Sequence, residues 1–205
     1  MKFYESGDNR KPVIFLFPGT CCLYSSFDHV LDGLHSYFYT VTVSYDGFDP
    51  NEKTEFYSME DECEKIEQEI KKKYDGRIKA AYGCSLGGSF VSLLIQRKRI
   101  HIEHGIIGSS DMDEAGQFMA KIQSSIVVPI MYKMVHTETL PKFMEKKIAQ
   151  MDDSKKKLVN GFLDMFGLGG SWITKKSIYN QFYSDLVTKV QHNMDVPNTK
   201  IHVFY

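Results

Sequence analysis

The chain has 205 residues, a net charge of −1 and a hydrophobic content of 42%, which suits one domain with a substantial core and room for an inserted subdomain. The near-neutral charge gives no case for binding nucleic acid or an anionic membrane surface. The sequence contains no run of about 18 apolar residues, so it predicts no membrane span, and its polar start predicts no secretory signal.

The four cysteines, Cys21, Cys22, Cys63 and Cys84, show no C-x-x-C spacing. Because adjacent cysteines are poor partners for each other, we expect reduced thiols and a cytoplasmic protein. Histidines and cysteines also lack metal-ligand spacing, and the glycines do not fit a dinucleotide-binding fingerprint. The sequence therefore predicts no metal and no cofactor.

Strand and helix patterns alternate through the first half of the chain. Residues 1–11 form a polar lead-in with a short edge strand, and the continuously apolar residues 13–17 predict a buried strand. Three helices are then predicted, at 25–34 (N-capped by Ser25 or Ser26), 58–74 (capped by Ser58) and 86–96. They alternate with three strands, predicted at 38–45, 78–82 and 102–108. This alternation favours a parallel α/β sheet with helices on both faces.

The pattern then becomes helical. Helices are predicted at 115–128 (broken or kinked at Pro129), 140–151, 155–165 and 175–190, and a last strand at 200–205. A helical insertion between sheet strands is typical of a cap. We therefore predict an α/β core at 1–111, a helical cap at 112–195 and a return strand of the core at 196–205.

The turn between the strand at 78–82 and its following helix carries the chemistry. Gly83-Cys84-Ser85-Leu86-Gly87 fits G-x-S-x-G. A strand that turns at once into a helix strains the serine backbone, so its neighbours need to be small. Ser85 then lies at the positive end of a helix, which suits a nucleophile that carries negative charge during a reaction.

An earlier loop predicts the anion-binding partner of this turn. Pro18-Gly19-Thr20 follows the strand at 13–17, where such a fold places one donor of an oxyanion hole. We expect that donor to be the backbone N–H of Thr20 or Cys21. The second donor is expected to be the backbone N–H of Leu86.

With these elements the chain resembles the α/β-hydrolase superfamily from about Val13 to Tyr205. The segments VIFLFPGT and AAYGCSLGGS and the helical insertion carry the resemblance. It implies a mostly parallel α/β-hydrolase-like sheet with a helical cap. It also implies a serine hydrolase that acts on a small ester, thioester or similar acyl substrate through an acyl-enzyme on Ser85.

The chain departs from that superfamily in its catalytic partners, which follow the serine in the order acid, then histidine. Asp111 is a candidate acid, at a position that some members use. No histidine has an equivalent place, since those near or after Ser85 lie in strands, in the cap or at a helix end: His101, His104, His136, His192 and His202. The expectation is a chain that stops before the catalytic histidine.

Several alternatives follow from the lack of a histidine base. The chain is a shortened form of a longer enzyme, or a catalytically inactive binding module, or it receives the missing segment from a second chain. Thiol chemistry at Cys84 is a further, less favoured alternative. The last strand is expected at a sheet edge, where it could pair with another chain in a homo-oligomer.

Overall fold

Five of the six strands in the described part of the chain run parallel in one sheet. The computed structural model describes residues 1–110, 114–137, 139–140, 142–163, 170–191 and 193–204. The strands are β1 (Lys2–Ser6), β2 (Val13–Phe17), β3 (Tyr39–Ser44), β4 (Arg77–Cys84), β5 (His101–Gly108) and β6 (Lys200–Phe204), in the spatial order β1-β3-β2-β4-β5-β6. β1 pairs antiparallel with β3 at one edge. The predicted mostly parallel α/β sheet is confirmed, and the edge strand expected in the lead-in is β1.

Seven helices accompany this sheet among the described residues: α1 (Asp28–His35), α2 (Met59–Tyr74), α3 (Leu86–Arg97), α4 (Gln117–Thr137), α5 (Lys142–Ala149), α6 (Asp153–Leu163) and α7 (Lys175–Val187). Ser58 caps α2 as predicted, because its Oγ accepts a 3.1 Å hydrogen bond from the N–H of Asp61. The predicted caps of α1 are wrong. Ser25 and Ser26 lie in a 3-10 turn (Tyr24–Phe27) that precedes α1, and Phe27 is the N-cap.

The helical insertion differs from its prediction at Pro129. α4 continues past this proline to Thr137, so the predicted break is wrong, whereas a kink at Pro129 stays a prediction. A proline inside a helix removes one hydrogen bond, and burial of Val128, Met134 and Val135 on either side of it favours the continuous helix. The division into core and cap at residues 111 and 195 stays a prediction.

Helices cover both faces of the sheet because side chains alternate along each strand. Ile14 and Leu16 of β2 pack in a small cluster with residues of α1 such as Leu31 and Leu34. Their neighbours Phe15 and Phe17 point the other way, into the larger core that α2 and α3 share. The predicted arrangement of helices on both faces is therefore confirmed.

β6 lies at the edge of the sheet, where it pairs parallel with β5. Val203 and Phe204 at its end are 41% and 61% exposed. Tyr205, the last residue of the predicted strand, lies outside the described residues. The edge position agrees with the sequence, and pairing with another chain stays a prediction.

Candidate active site

Ser85 joins β4 directly to α3 in a strained conformation. Its backbone has φ 54° and ψ −126°, a region that a residue with a Cβ enters at a cost. The flanking glycines permit the turn. A Cβ on Gly83 would lie 2.0 Å from the carbonyl oxygen of Gly87, and a Cβ on Gly87 would lie 2.1 Å from that of Phe17. The two glycines of the G-x-S-x-G pattern are therefore required because a Cβ at either position would clash with backbone atoms.

The first turn of α3 lies immediately after Ser85. The Ser85 carbonyl oxygen accepts a 2.8 Å bond from the N–H of Gly88. The N–H of Leu86 belongs to the first turn of a helix, whose donors have no intrahelical acceptor, and the hydrogen bonds of the described residues assign it none. Ser85 is half-buried, and the helix terminus beside it favours negative charge.

The loop after β2 meets the serine turn. A Cβ on Gly19 would lie 3.7 Å from the Ser85 Cβ and 3.4 Å from the carbonyl oxygen of Cys84. The N–H of Cys22 closes a four-residue turn by donating to the Gly19 carbonyl oxygen at 3.1 Å. Thr20 is the second residue of that turn, and its N–H also has no acceptor among the described residues.

Cys21, the alternative donor from the same loop, already has a partner. Its N–H donates a 2.8 Å hydrogen bond to Oε1 of Gln181, a fully buried residue of α7. Cys21 itself has a φ of 58°, in the left-handed region. Of these two N–H groups, that of Thr20 is the one without an acceptor among the described residues, and its role as an oxyanion donor stays a prediction.

The end of β5 lies beside the serine turn. The N–H of Ser85 donates to the Gly108 carbonyl oxygen at 2.9 Å, and a Cβ on Gly88 would lie 2.7 Å from the Cβ of Ser110. Asp111, the candidate acid, follows Ser110 in the sequence and lies outside the described residues. Its role stays a prediction.

None of the described histidines forms a hydrogen bond with Ser85. His101 and His104 lie at the start and in the middle of β5, away from the strand ends where Ser85 is found. Nδ1 of His104 is instead 3.1 Å from Nε2 of His202 on β6, and Nδ1 of His136 is 2.9 Å from the Tyr132 carbonyl oxygen within α4. His192 lies outside the described residues.

The thiols around the turn are poor nucleophiles. Cys84 is half-buried, and burial raises its pKa. Burial also raises the pKa of Cys22 to about 12, with a contribution from nearby Cys84. Since the thiolate is the reactive form of cysteine, these shifts disfavour thiol chemistry at this site. All four cysteines are free thiols.

An acidic cluster lies away from Ser85, on α2 and the loop before it. Carboxylate oxygens of Asp46, Asp61 and Glu62 lie within 4.8 Å of one another. Lys65 contacts all three, with its Nζ 2.5 Å from Asp46 Oδ2 and 3.1 Å from Glu62 Oε1. An ammonium group thus already occupies the place where a cation would bind.

Polar side chains of α7 attach this helix to the core, which sequence reasoning missed. The Oγ of Ser184 accepts the N–H of Met59 at 2.8 Å, and Nδ2 of Asn180 donates to the Phe56 carbonyl oxygen at 2.8 Å. Gln181 makes a further attachment, to Cys21. The aromatic side chains of this segment stood out in the sequence, whereas a buried serine or glutamine has no periodic signature.

Several solved structures superpose on most of this chain. A protein of Desulfitobacterium hafniense assigned to the α/β-hydrolase family gives a TM-score of 0.74 at 15% identity, covering 98% of this chain and 78% of that one. A thermophilic esterase from Thermogutta terrifontis gives 0.64 at 14%, covering 90% and 66%. The enzyme 1H-3-hydroxy-4-oxoquinoline 2,4-dioxygenase gives 0.58 at 16%, covering 89% and 65%.

The chain has the α/β-hydrolase fold, as the sequence predicted. It spans about two thirds of the length of the esterase and of the dioxygenase. Because these two enzymes share the fold and differ in reaction, the fold by itself does not fix the chemistry. No protein-family model matches the chain, and no curated protein matches its sequence. Within the described residues, every helix is too short or too polar to cross a membrane.

Proposed function

We propose that this chain is the core of a serine hydrolase that cleaves a small ester, thioester or related acyl compound through an acyl-enzyme on Ser85. The observation that carries the proposal is the backbone of Ser85, held at φ 54° between a strand end and a helix N-terminus. Residues held in such strained backbone conformations cluster at active sites, because the strain persists only where the surrounding structure enforces it. The similarity to an esterase agrees with an acyl substrate.

In the proposed reaction the Ser85 Oγ attacks the acyl carbonyl carbon as its proton leaves to a base. The carbonyl oxygen becomes an oxyanion, and the N–H groups of Thr20 and Leu86 donate to it. Collapse of this intermediate expels the alcohol or thiol and leaves an acyl ester on Ser85. Water then attacks the carbonyl carbon of this ester through a second oxyanion in the same place. Its collapse breaks the bond to the Ser85 Oγ, releases the carboxylic acid and returns a proton to the serine hydroxyl.

None of the described histidines bonds to Ser85, and we therefore propose that the base lies outside the described part of the chain. Without a base a serine is an ordinary alcohol and most of the rate acceleration is lost. Asp111, next to Ser110 at the end of β5, is the proposed acid that would orient an imidazole.

A fluorophosphonate probe followed by peptide mass spectrometry tests this proposal. We expect the probe to label Ser85, and Ser85→Ala to abolish labelling. Ser25→Ala, at an exposed serine, is the control that should label normally. Labelling at another residue, or equal labelling of the Ser85→Ala variant, would refute the role of Ser85.

A second candidate function is a binding protein with an inactive serine turn. It is favoured by the lack of an imidazole partner for Ser85 among the described residues. It predicts a folded protein that neither reacts with the fluorophosphonate nor hydrolyses p-nitrophenyl acetate or a short acyl thioester. Hydrolysis that disappears in Ser85→Ala would exclude it.

A further inference from the structure

The amide of Gln181 is the direct connection between α7 and the turn that carries the proposed Thr20 donor. Its Oε1 accepts the Cys21 N–H at 2.8 Å, across 160 positions of sequence. The residue is 0% exposed. A buried bond of this kind, made by a side chain to a loop backbone, fixes the orientation of one peptide group.

That peptide group needs fixing because its turn is strained. The turn runs from Gly19 to Cys22, and Cys21 at its third position has a φ of 58°, as the third residue of a type II turn does. Glycine is the usual residue there, and a cysteine pays a steric cost. On the other side of the same peptide, the Cys22 thiol donates to the Thr20 carbonyl oxygen at 3.6 Å. The Thr20–Cys21 peptide is therefore held from both ends.

Packing alone does not account for an amide at this place. Nε2 of Gln181 is buried and has no hydrogen-bond partner among the described residues. An unpaired buried donor is unfavourable, and an apolar side chain of the same length would fill the volume without it. What the amide adds is the acceptor for Cys21.

We propose that Gln181 is a positioning residue, whose Oε1 holds the Gly19–Cys22 turn in the conformation that presents the Thr20 N–H beside Ser85. The expected effect of Gln181 on the reaction rate rests on the proposed acyl-transfer function. In this way α7 would support the oxyanion site through the backbone of the turn. Release of the Cys21 peptide lets the turn relax toward negative φ and moves the donor, and a shift of about 1 Å in such a group can cost roughly 100-fold in rate.

The structure offers a matched control on the same helix. Ser184 lies three residues after Gln181, is 4% exposed, and also accepts a backbone N–H of the core at 2.8 Å, from Met59. Ser184→Ala removes a bond of the same kind, while the Gly19–Cys22 turn stays intact. Gln181→Met removes the acceptor at constant length, and Gln181→Glu keeps an acceptor while removing the Nε2 donor.

The first experiment measures kcat and KM of p-nitrophenyl acetate hydrolysis for the three variants. We expect Gln181→Met to lower kcat by about 10- to 100-fold with KM nearly unchanged, because the lost contact acts on the oxyanion. Gln181→Glu should restore most of kcat, and Ser184→Ala should keep it within about twofold. A normal kcat in Gln181→Met, or an equal loss in Ser184→Ala, would overturn the proposal.

A second measurement needs no catalysis. Hydrogen exchange of the Cys21 amide in the Ser85→Ala background should become at least about tenfold faster on adding Gln181→Met and stay unchanged on adding Ser184→Ala. If the protein proves inert but this exchange responds, the hydrolase function fails and the positioning role stands. Unchanged exchange refutes the positioning role whatever the activity.

Discussion

The backbone N–H of Ser85 donates a 2.9 Å hydrogen bond to the carbonyl oxygen of Gly108, the last residue of β5. The serine is thus held by a neighbouring strand as well as by its own strand and helix. Three parts of the chain meet at this place: the end of β5, the start of α3 and the loop after β2.

Gly87→Ala should destabilise the protein strongly. The added Cβ would lie 2.1 Å from the Phe17 carbonyl oxygen, and backbone cannot move aside as a flexible side chain can. We expect a loss on the order of 3 kcal/mol in the free energy of unfolding, measured by chemical denaturation. Gly33→Ala is the control, because nothing lies within 4 Å of its added Cβ in α1, and it should stabilise by about 0.5–1 kcal/mol. Equal effects of the two substitutions would contradict the steric argument.

Ser85→Gly should be more stable than Ser85→Ala, which reverses the usual order of these residues. At φ 54° and ψ −126° the alanine Cβ keeps the strain of the serine, whereas glycine relieves it. We expect a difference of about 1 kcal/mol in the free energy of unfolding, while both variants lose fluorophosphonate labelling. An alanine variant as stable as the glycine variant would mean that residue 85 is unstrained.

Thr20→Pro tests the choice between the two donors of the loop. Proline removes the Thr20 N–H yet suits the second position of a turn, so the fold should persist. We expect hydrolysis to fall by about 10²- to 10³-fold, the cost of one oxyanion donor. Thr20→Ala keeps the N–H and should retain activity within a few-fold. Should proline leave the rate unchanged, the donor is not Thr20.

Glu62→Gln should alter the pH dependence of stability. Glu62 is 0% exposed, and burial, together with the nearby Asp46 carboxylate, raises its pKa from 4.5 to about 7. A carboxyl whose pKa is higher in the folded protein binds more protons when folded, so its contribution to stability falls as the pH rises from about 4.5 to 7. The loss is up to about 3 kcal/mol over this window.

Urea denaturation at several pH values measures this contribution. The stability of the wild type relative to Glu62→Gln should decrease between pH 4.5 and 7 and stay level above it. Glu60→Gln, at an exposed residue of the same helix, should leave the profile of the wild type unchanged. A relative stability that stays flat, or that rises with pH, would contradict a raised pKa of Glu62.

Local rules predicted the parts of the site that depend on local contacts. Gly83 depends on a local contact, because a Cβ there would meet the backbone of Gly87, four positions along the chain. The G-x-S-x-G pattern also predicts Gly87, although the backbone that excludes a Cβ there belongs to Phe17 on β2. The cap of α2 at Ser58 involves residues three positions apart. The predicted N-caps of α1 were wrong because Ser25 and Ser26 lie in a 3-10 turn, in which the backbone forms a different set of local hydrogen bonds.

The sequence by itself determined the alternating strands and helices and the strained serine turn, because each depends on side-chain periodicity or on contacts within a short stretch. Only the tertiary structure decided which of the two loop amides, Thr20 or Cys21, lacks a hydrogen-bond acceptor among the described residues. Gln181 meets Cys21 across 160 positions, and one glutamine among many polar residues gives no sign of its partner. A hydrogen bond between distant segments is set by how helices pack on the sheet, and that packing is a property of the whole folded chain.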